Sequence, residues 1–329
     1  MKVCIFGAGS VSGMAGARMA RAGIDVTLVA RGAHLRAIQA NGLTVRDAAG
    51  GFTVRAPATD DTDALGVQDV VILGVKAHTI APALPQILPL IGPQTTVVPI
   101  INGIPWWYFH ALPGPHAGRS LDSVDFGGRI MSAIDPARVL GCVVYVATTI
   151  AEPGVIEHGS GGRYVLGEPD GSDSARRHAV ASLFTAAGLD APLSPDIRAE
   201  VWNKLWGNLS GNPLSILTGA HCSGLVDDPD VAAVMGRMMR EAKGVADAMG
   251  VAVDLDVAAR LAGFYQVGPF QTSMQQDMAA GRPIELDPIL GSVIELAGLF
   301  EVPVPLLQGV HAMARQKAEL AGCYRPPGG

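Results

Sequence analysis

Charged residues are scarce in this chain. Asp, Glu, Lys and Arg make up 16% of its 329 residues, the formal net charge is −6, and nearly half of the sequence is apolar. That balance excludes a disordered polyelectrolyte and describes a protein with a sizeable core. Aromatics are also few, with five tyrosines and eight phenylalanines. No basic face interleaves them, which excludes the usual nucleic-acid surface. Cysteine is limited to Cys4, Cys142, Cys222 and Cys323. Their wide separation offers neither a redox pair nor zinc-ligand spacing. The eight histidines are equally scattered, so no metal site is expected. No long hydrophobic run is left unbroken. The most apolar region, Ile80–Ile104, carries Pro82, Pro85, Pro89, Pro93 and Pro99, a spacing that breaks a membrane-spanning helix. Met1–Phe6 runs straight into glycines rather than into a signal-peptide core. The expectation is a cytoplasmic protein with reduced thiols and neither nucleic-acid nor membrane partners.

What is present is an alternation. Lys2–Phe6, Asp25–Ala30, Asp69–Val75 and Thr95–Ile101 read as short buried strands, with helices over the residues up to Ala22 and over Ala33–Ala40. Val139–Ile150 and Arg163–Leu166 read as later strands, the second region open to an antiparallel pairing. Such alternation predicts an α/β fold with a doubly wound parallel sheet. Past the proline-containing turn at Ala191–Asp196 the texture becomes helical. Helices are expected over Ile197–Leu209, Pro213–Thr218, Asp230–Met249, Asp256–Phe264, Ile289–Phe300 and Pro305–Ala321, with aspartate caps at 228–230 and 254–256. The length suits two domains, here 1–192 and 193–329, the second mainly α-helical. The tail Arg325–Gly329 is expected to be disordered.

Directly after the first strand stands Gly7-Ala8-Gly9-Ser10-Val11-Ser12-Gly13, opening a helix. Gly7 suits a tight turn, and Gly9 lets a dinucleotide pyrophosphate approach the helix N-terminus. The third glycine of the usual pattern is Ser12, a departure small enough to keep strand and helix together. The second strand ends in Val29-Ala30-Arg31 rather than in an acid. A guanidinium suits a ribose 2′-phosphate, so NADP(H) is expected. Lys76 and Asn102 follow strands at the carboxyl edge of the sheet, where ligands bind in open α/β sheets.

The second constellation is a polar stripe. Lys204, Asn208 and Asn212 recur every four residues, and Trp202, Leu205, Trp206 and Leu209 fill much of the remaining circumference. A helix so surrounded is buried, and its polar face needs partners. A polar substrate would supply them; an ion pair of Lys204 with Glu200 and loop contacts for the asparagines are the plainer alternative. The boundary near residue 193 would set this helix at an interdomain cleft, a favoured ligand site.

These pieces, in order and spacing over nearly the full length, resemble the ketopantoate reductases (2-dehydropantoate 2-reductases). The resemblance rests on Lys2–Gly16, Val26–Gly32, Lys76, Asn102-Gly103, Ile197–Lys204, Asn208, Asn212-Pro213, Ser273–Asp277 and Glu285–Asp287. It implies a Rossmann-type domain binding NADP(H) through Gly7–Ser12, Arg31, Lys76 and Asn102. It makes Lys204 the catalytic lysine and Glu285 the active-site glutamate. Asn102, Asn208 and Asn212 would line the substrate site, and Ser273 would hold the substrate carboxylate. The implied reaction is NADPH-dependent reduction of 2-dehydropantoate to (R)-pantoate, toward coenzyme A.

The chemistry agrees independently. Hydride transfer to a ketone leaves negative charge on oxygen, and a lysine, with an ordinary pKa of about 10.4, carries a proton to give. Glu285 would orient that ammonium or bond a substrate hydroxyl, although a plain helix-end charge would read the same. Ser273 also reads as a helix cap. Phe270 replaces an asparagine that some relatives carry three residues before the serine, and Ile104–Phe109 is unusually aromatic. If those groups line the site, the substrate is bulkier than ketopantoate; if not, they are packing. Two alternatives stay open: an (R)-2-hydroxy-acid dehydrogenase for another 2-oxo acid, and a non-catalytic NADP-binding regulator. The last helices offer a surface for a homodimer.

Overall fold

Val3–Phe6 and Val70–Leu73 are wholly buried and entirely apolar, the pattern of parallel strands covered on both faces. They form the centre of a sheet in this computed structural model, which describes residues 1–48 and 50–328. The chain divides into two compact units.

The first unit comprises Met1–Ile101, Phe109–Arg119 and Arg129–Ile197. It runs β1 (Val3–Phe6), α1 (Ser10–Arg21), β2 (Val26–Val29), α2 (Gly32–Asn41), β3 (Leu43–Arg46), β4 (Phe52–Val54), β5 (Ala58–Thr59), β6 (Val70–Leu73), α3 (Ala77–Ile87), β7 (Thr96–Pro99), α4 (Arg129–Ala133), β8 (Gly141–Glu152), β9 (Val155–Gly167) and α5 (Ala175–Ala186). The principal sheet has the order β5-β2-β1-β6-β7. Its ladders are parallel, with Val3 opposite both Val26 and Val70. The order turns back on either side of β1, so a switch point lies at its carboxyl end. A second sheet, β4-β3-β9-β8, joins β3 and β9 in parallel and β9 and β8 antiparallel. Helix α1 packs on both sheets through Met14, Ala15, Ala17 and Met19, all fully buried.

Two prolines behave against expectation. Pro82 and Pro85 lie inside α3 rather than breaking it. Each removes a helical hydrogen bond, but buried Ala77, Ile80, Leu84 and Ile87 recur on one face and fix the segment by packing. No helix of the described residues is long and apolar enough to cross a membrane.

The second unit comprises Asn102–Tyr108, Ser120–Gly128 and Arg198–Gly329. It carries α6 (Ile197–Thr218), α7 (Cys222–Asp227), α8 (Pro229–Ala248), α9 (Val257–Val267), α10 (Ser273–Ala279), a π-helical turn at Asp287–Gly291, α11 (Ser292–Leu299) and α12 (Pro305–Leu320). The division differs from a single cut after residue 192, because two earlier stretches cluster with the helices. Helix α6 runs unbroken through Pro213, where two helices were expected. An interior proline costs about 3 kcal/mol; burying Leu209, Leu214 and Ile216, at about 1.5–3 kcal/mol each, outweighs it. Asp228 and Asp256 cap α8 and α9. Of the tail expected to be disordered, Gly329 lies outside the described residues. Residues 325–328 form no helix or strand, yet Gly328 lies against the Phe126 ring.

Candidate functional site

In the first unit the glycine loop follows β1 as the sequence requires. Gly7 has φ +85°, and a Cβ there would lie 2.4 Å from Val75 Cγ1. The Gly7 and Ala8 N–H groups donate to Val29 O, tying the loop to β2. Gly9 is different. Its φ is −74°, and a Cβ would meet nothing closer than 3.9 Å, so no packing within the protein demands glycine. It leaves an open approach over the first turn of α1, where Ser10, Val11 and Ser12 stand. That turn has neither a side-chain cap nor an acid, so its N–H groups and dipole suit an anion. The residues present fit a dinucleotide diphosphate.

Ser12 is fully buried and donates to Gly7 O at 2.6 Å. Its extra atoms are accommodated by Gly74, after β6, where a Cβ would come within 2.0 Å of the hydroxyl. Close helix–strand packing falls instead to Gly16, where a Cβ would stand 2.7 Å from Leu28 and 2.8 Å from Ile5. Arg31 is the exposed N-cap residue of α2, and its guanidinium makes no ion pair among the described residues. Lys76, half-buried, is the N-cap residue of α3. Sequence reasoning missed His34. It bonds the Ala8 carbonyl through Nε2 and accepts the Gly154 N–H at Nδ1, both at 3.0 Å, so it braces the loop against the β8–β9 turn.

In the second unit α6 presents its stripe on an otherwise apolar helix, with Trp202, Leu205, Trp206 and Leu209 at most 1% exposed. Lys204 Nζ donates to Asn102 Oδ1 at 2.9 Å, and Asn102 Nδ2 donates to Glu285 Oε2 at 3.3 Å. The structure thus joins residues more than 180 positions apart into one chain: ammonium, amide, carboxylate. Only one amide orientation serves it, since the flipped amide would oppose donor to donor and acceptor to acceptor. Glu285 is 8% exposed, and a buried charge of this kind requires partners. Gly103 makes the approach possible. Its φ is +81°, and a Cβ would fall 1.9 Å from Pro288 O, the carbonyl that also accepts the Ile104 N–H.

Asn208 is half-buried and Asn212 is 5% exposed. Asn212 Nδ2 has no acceptor among the described residues, at a cost of about 1–3 kcal/mol if left so. The indole N–H groups of Trp106, Trp107 and Trp206 share that condition. Asn212 differs in standing on the same face as Lys204, two turns on. Ser273 is exposed at the first position of α10. It is not the cap: Thr272 accepts the Gln275 N–H and Gln275 reciprocates, a capping box. Gln275 also donates to Ser215 O and Ala220 O, and Thr272 shares a 2.7 Å hydrogen bond with Ser215. The α10 start is therefore fastened to the end of α6. Phe270 is 62% exposed, whereas Trp106, Trp107, Tyr108 and Phe109 are buried; the aromatic segment is packing.

Comparison with known proteins agrees with this chemistry. The family model described as Ketopantoate reductase PanE/ApbA matches residues 3–106, and its C-terminal counterpart matches residues 196–318. A 2-dehydropantoate 2-reductase of Mesorhizobium japonicum is 46% identical over 98% of this chain and all of its own. A solved protein of Ralstonia solanacearum MolK2, provisionally named a ketopantoate reductase, is 43% identical with a TM-score of 0.93, covering 98% and 99% of the two chains. A PanE/ApbA family ketopantoate reductase of Ralstonia eutropha JMP134 is 30% identical with a TM-score of 0.83, over the same shares. The chain belongs to the ketopantoate reductase family, oxidoreductases that act on CH–OH groups with a nicotinamide dinucleotide.

Proposed function

We propose that the protein reduces 2-dehydropantoate to (R)-pantoate with NADPH. The observation that carries the reading is the Lys204–Asn102–Glu285 chain of hydrogen bonds. NADPH supplies the hydride when bound. Lys204 gives its Nζ proton to the carbonyl oxygen as negative charge develops there. Asn102 holds that ammonium in one direction by accepting from it, and Glu285 holds Asn102 in turn. Asn208 and Asn212 bond the polar groups of the oxo acid, and Ser273 takes its carboxylate. The preference for NADPH rests on Arg31, exposed at the end of β2 with no acid to neutralise it. Gly7–Ser12 and Lys76 take the diphosphate side, and Asn102 serves both ligands.

NADPH oxidation followed with 2-dehydropantoate and a panel of other 2-oxo acids tests the substrate. Lys204→Ala should cut kcat by about 10²–10⁴-fold, the usual contribution of a positioned acid, while NADPH binding measured by fluorescence stays near wild type. Undiminished turnover would remove Lys204 as the proton donor. Arg31→Ala should raise KM for NADPH and leave NADH kinetics unchanged; equal losses with both cofactors would refute the phosphate contact.

A further inference from the structure

Glu285 is bracketed by the end of the chain. On its amino side the Ile284 N–H donates to the Cys323 carbonyl at 2.9 Å. On its carboxyl side the Asp287 carboxylate accepts the Tyr324 hydroxyl at 2.8 Å through Oδ2 and His311 Nε2 at 2.9 Å through Oδ1. Asp287 is 8% exposed and opens the π-helical turn, a rare geometry that concentrates at functional sites. The next carbonyl, of Pro288, accepts the Ile104 N–H, two residues from Asn102. The loop carrying Glu285 is therefore clamped on one side by the backbone that carries Asn102 and on the other by Cys323, Tyr324 and α12. All of these residues belong to the second unit.

Building on the function proposed above, we propose that Tyr324 is a positioning residue: through Asp287 it fixes the loop that aims Glu285 at Asn102, and so the direction in which Lys204 presents its proton. Tyr324 touches none of the three itself in this chain of bonds. Its hydroxyl is suited to a constant role, since burial, and then the Asp287 carboxylate it donates to, push its pKa up. It remains a donor throughout the neutral range. Asp287 lies two residues beyond Glu285, and the clasp spans a short stretch that cannot shift by one residue without breaking both bonds. A helix stutter of this type, pinned at one end by a carboxylate with two donors, converts loss of a single hydroxyl into loss of aim.

The test is kinetic and uses the full-length enzyme. Tyr324→Phe should lower kcat with 2-dehydropantoate by about tenfold, the scale of one hydrogen bond to a charged group, with KM for NADPH unchanged. In a Glu285→Gln background the same substitution should add nothing, because the residue it aims is already gone. His311→Ala repeats the test from the second donor, and His311→Gln, which still offers a donor, should recover most of the lost kcat. Wild-type kcat in Tyr324→Phe, or losses that multiply with Glu285→Gln, would overturn the proposal. A wild type that reduces no 2-oxo acid would instead overturn the functional reading. The clasp is then decided by amide hydrogen exchange across residues 284–291, which quickens in Tyr324→Phe if the clasp exists and keeps its wild-type rate if it does not.

Discussion

His34 is held at both ring nitrogens, and this decides its protonation. Nδ1 accepts the Gly154 N–H, so the proton sits on Nε2 and points at Ala8 O. A second proton would set N–H against N–H. Its pKa is lowered from 6.5, chiefly because burial disfavours the cation, with the Ala8 hydrogen bond opposing. The unfolded chain therefore binds a proton more readily than the folded one. The stabilisation is complete above about pH 6.5 and is lost as pH falls from there through the lower folded value. Thermal melts of wild type and His34→Gln across that range should show the difference between them shrinking toward acid. A constant gap at all pH values would mean that the ring is not titrating as described. Single residues were legible where the chemistry demands a type, as at Lys204, Asn102 and Glu285, which the structure joins. They were illegible where the partner comes from far along the chain. Nothing local marks Gly74 as the residue that accommodates Ser12, or Tyr324 as the donor to Asp287.

At the scale of elements, legibility followed burial. β1, β2, β6 and β7 were readable because strands covered on both faces become short β-branched runs. β3, β4 and β5 were missed because none is covered on both faces, Arg46 and Thr53 being exposed, and because β4 and β5 have only three and two residues, too few to display a period. The antiparallel partner β9 extends from Val155 to Gly167, well beyond the Arg163–Leu166 run expected, because its glycine-rich middle lacks strand propensity yet is held to β8 across register shifts that leave Gly159 and Gly162 without an opposite residue. Helices α3 and α6 were underestimated for one reason. Proline weighs heavily in a local reading, while the buried side chains that outweigh it are counted only in the fold. Helix α10 was hidden by its length, seven residues, and its capping box was overlooked in favour of Ser273, one residue later.

At the scale of the whole molecule, the order of the chain is a poor guide to its division. A cut after residue 192 separates the helical half from Asn102–Tyr108 and Ser120–Gly128, which belong to the same compact unit as the helices. These segments are bound into that unit by specific contacts. Arg198 Nε donates to Tyr108 O, and Trp202 Nε1 donates to the Tyr108 hydroxyl, both at 2.7 Å. Glu295 accepts the Asp122 and Ser123 N–H groups and the Ser123 hydroxyl. A fragment of residues 198–329 would lose Trp106, Trp107 and Tyr108 together with these partners. Removing a buried aromatic costs about 3–5 kcal/mol, and a domain's entire stability is about 5–15 kcal/mol. The fragment should therefore show no cooperative urea transition by circular dichroism, whereas the full chain unfolds cooperatively. It should also bind no 2-oxo acid even with Lys204 and Glu285 present, since Asn102, which links them, is absent. A sharp transition in the fragment would show that the helices form a self-sufficient core and that the two inserted segments only decorate it.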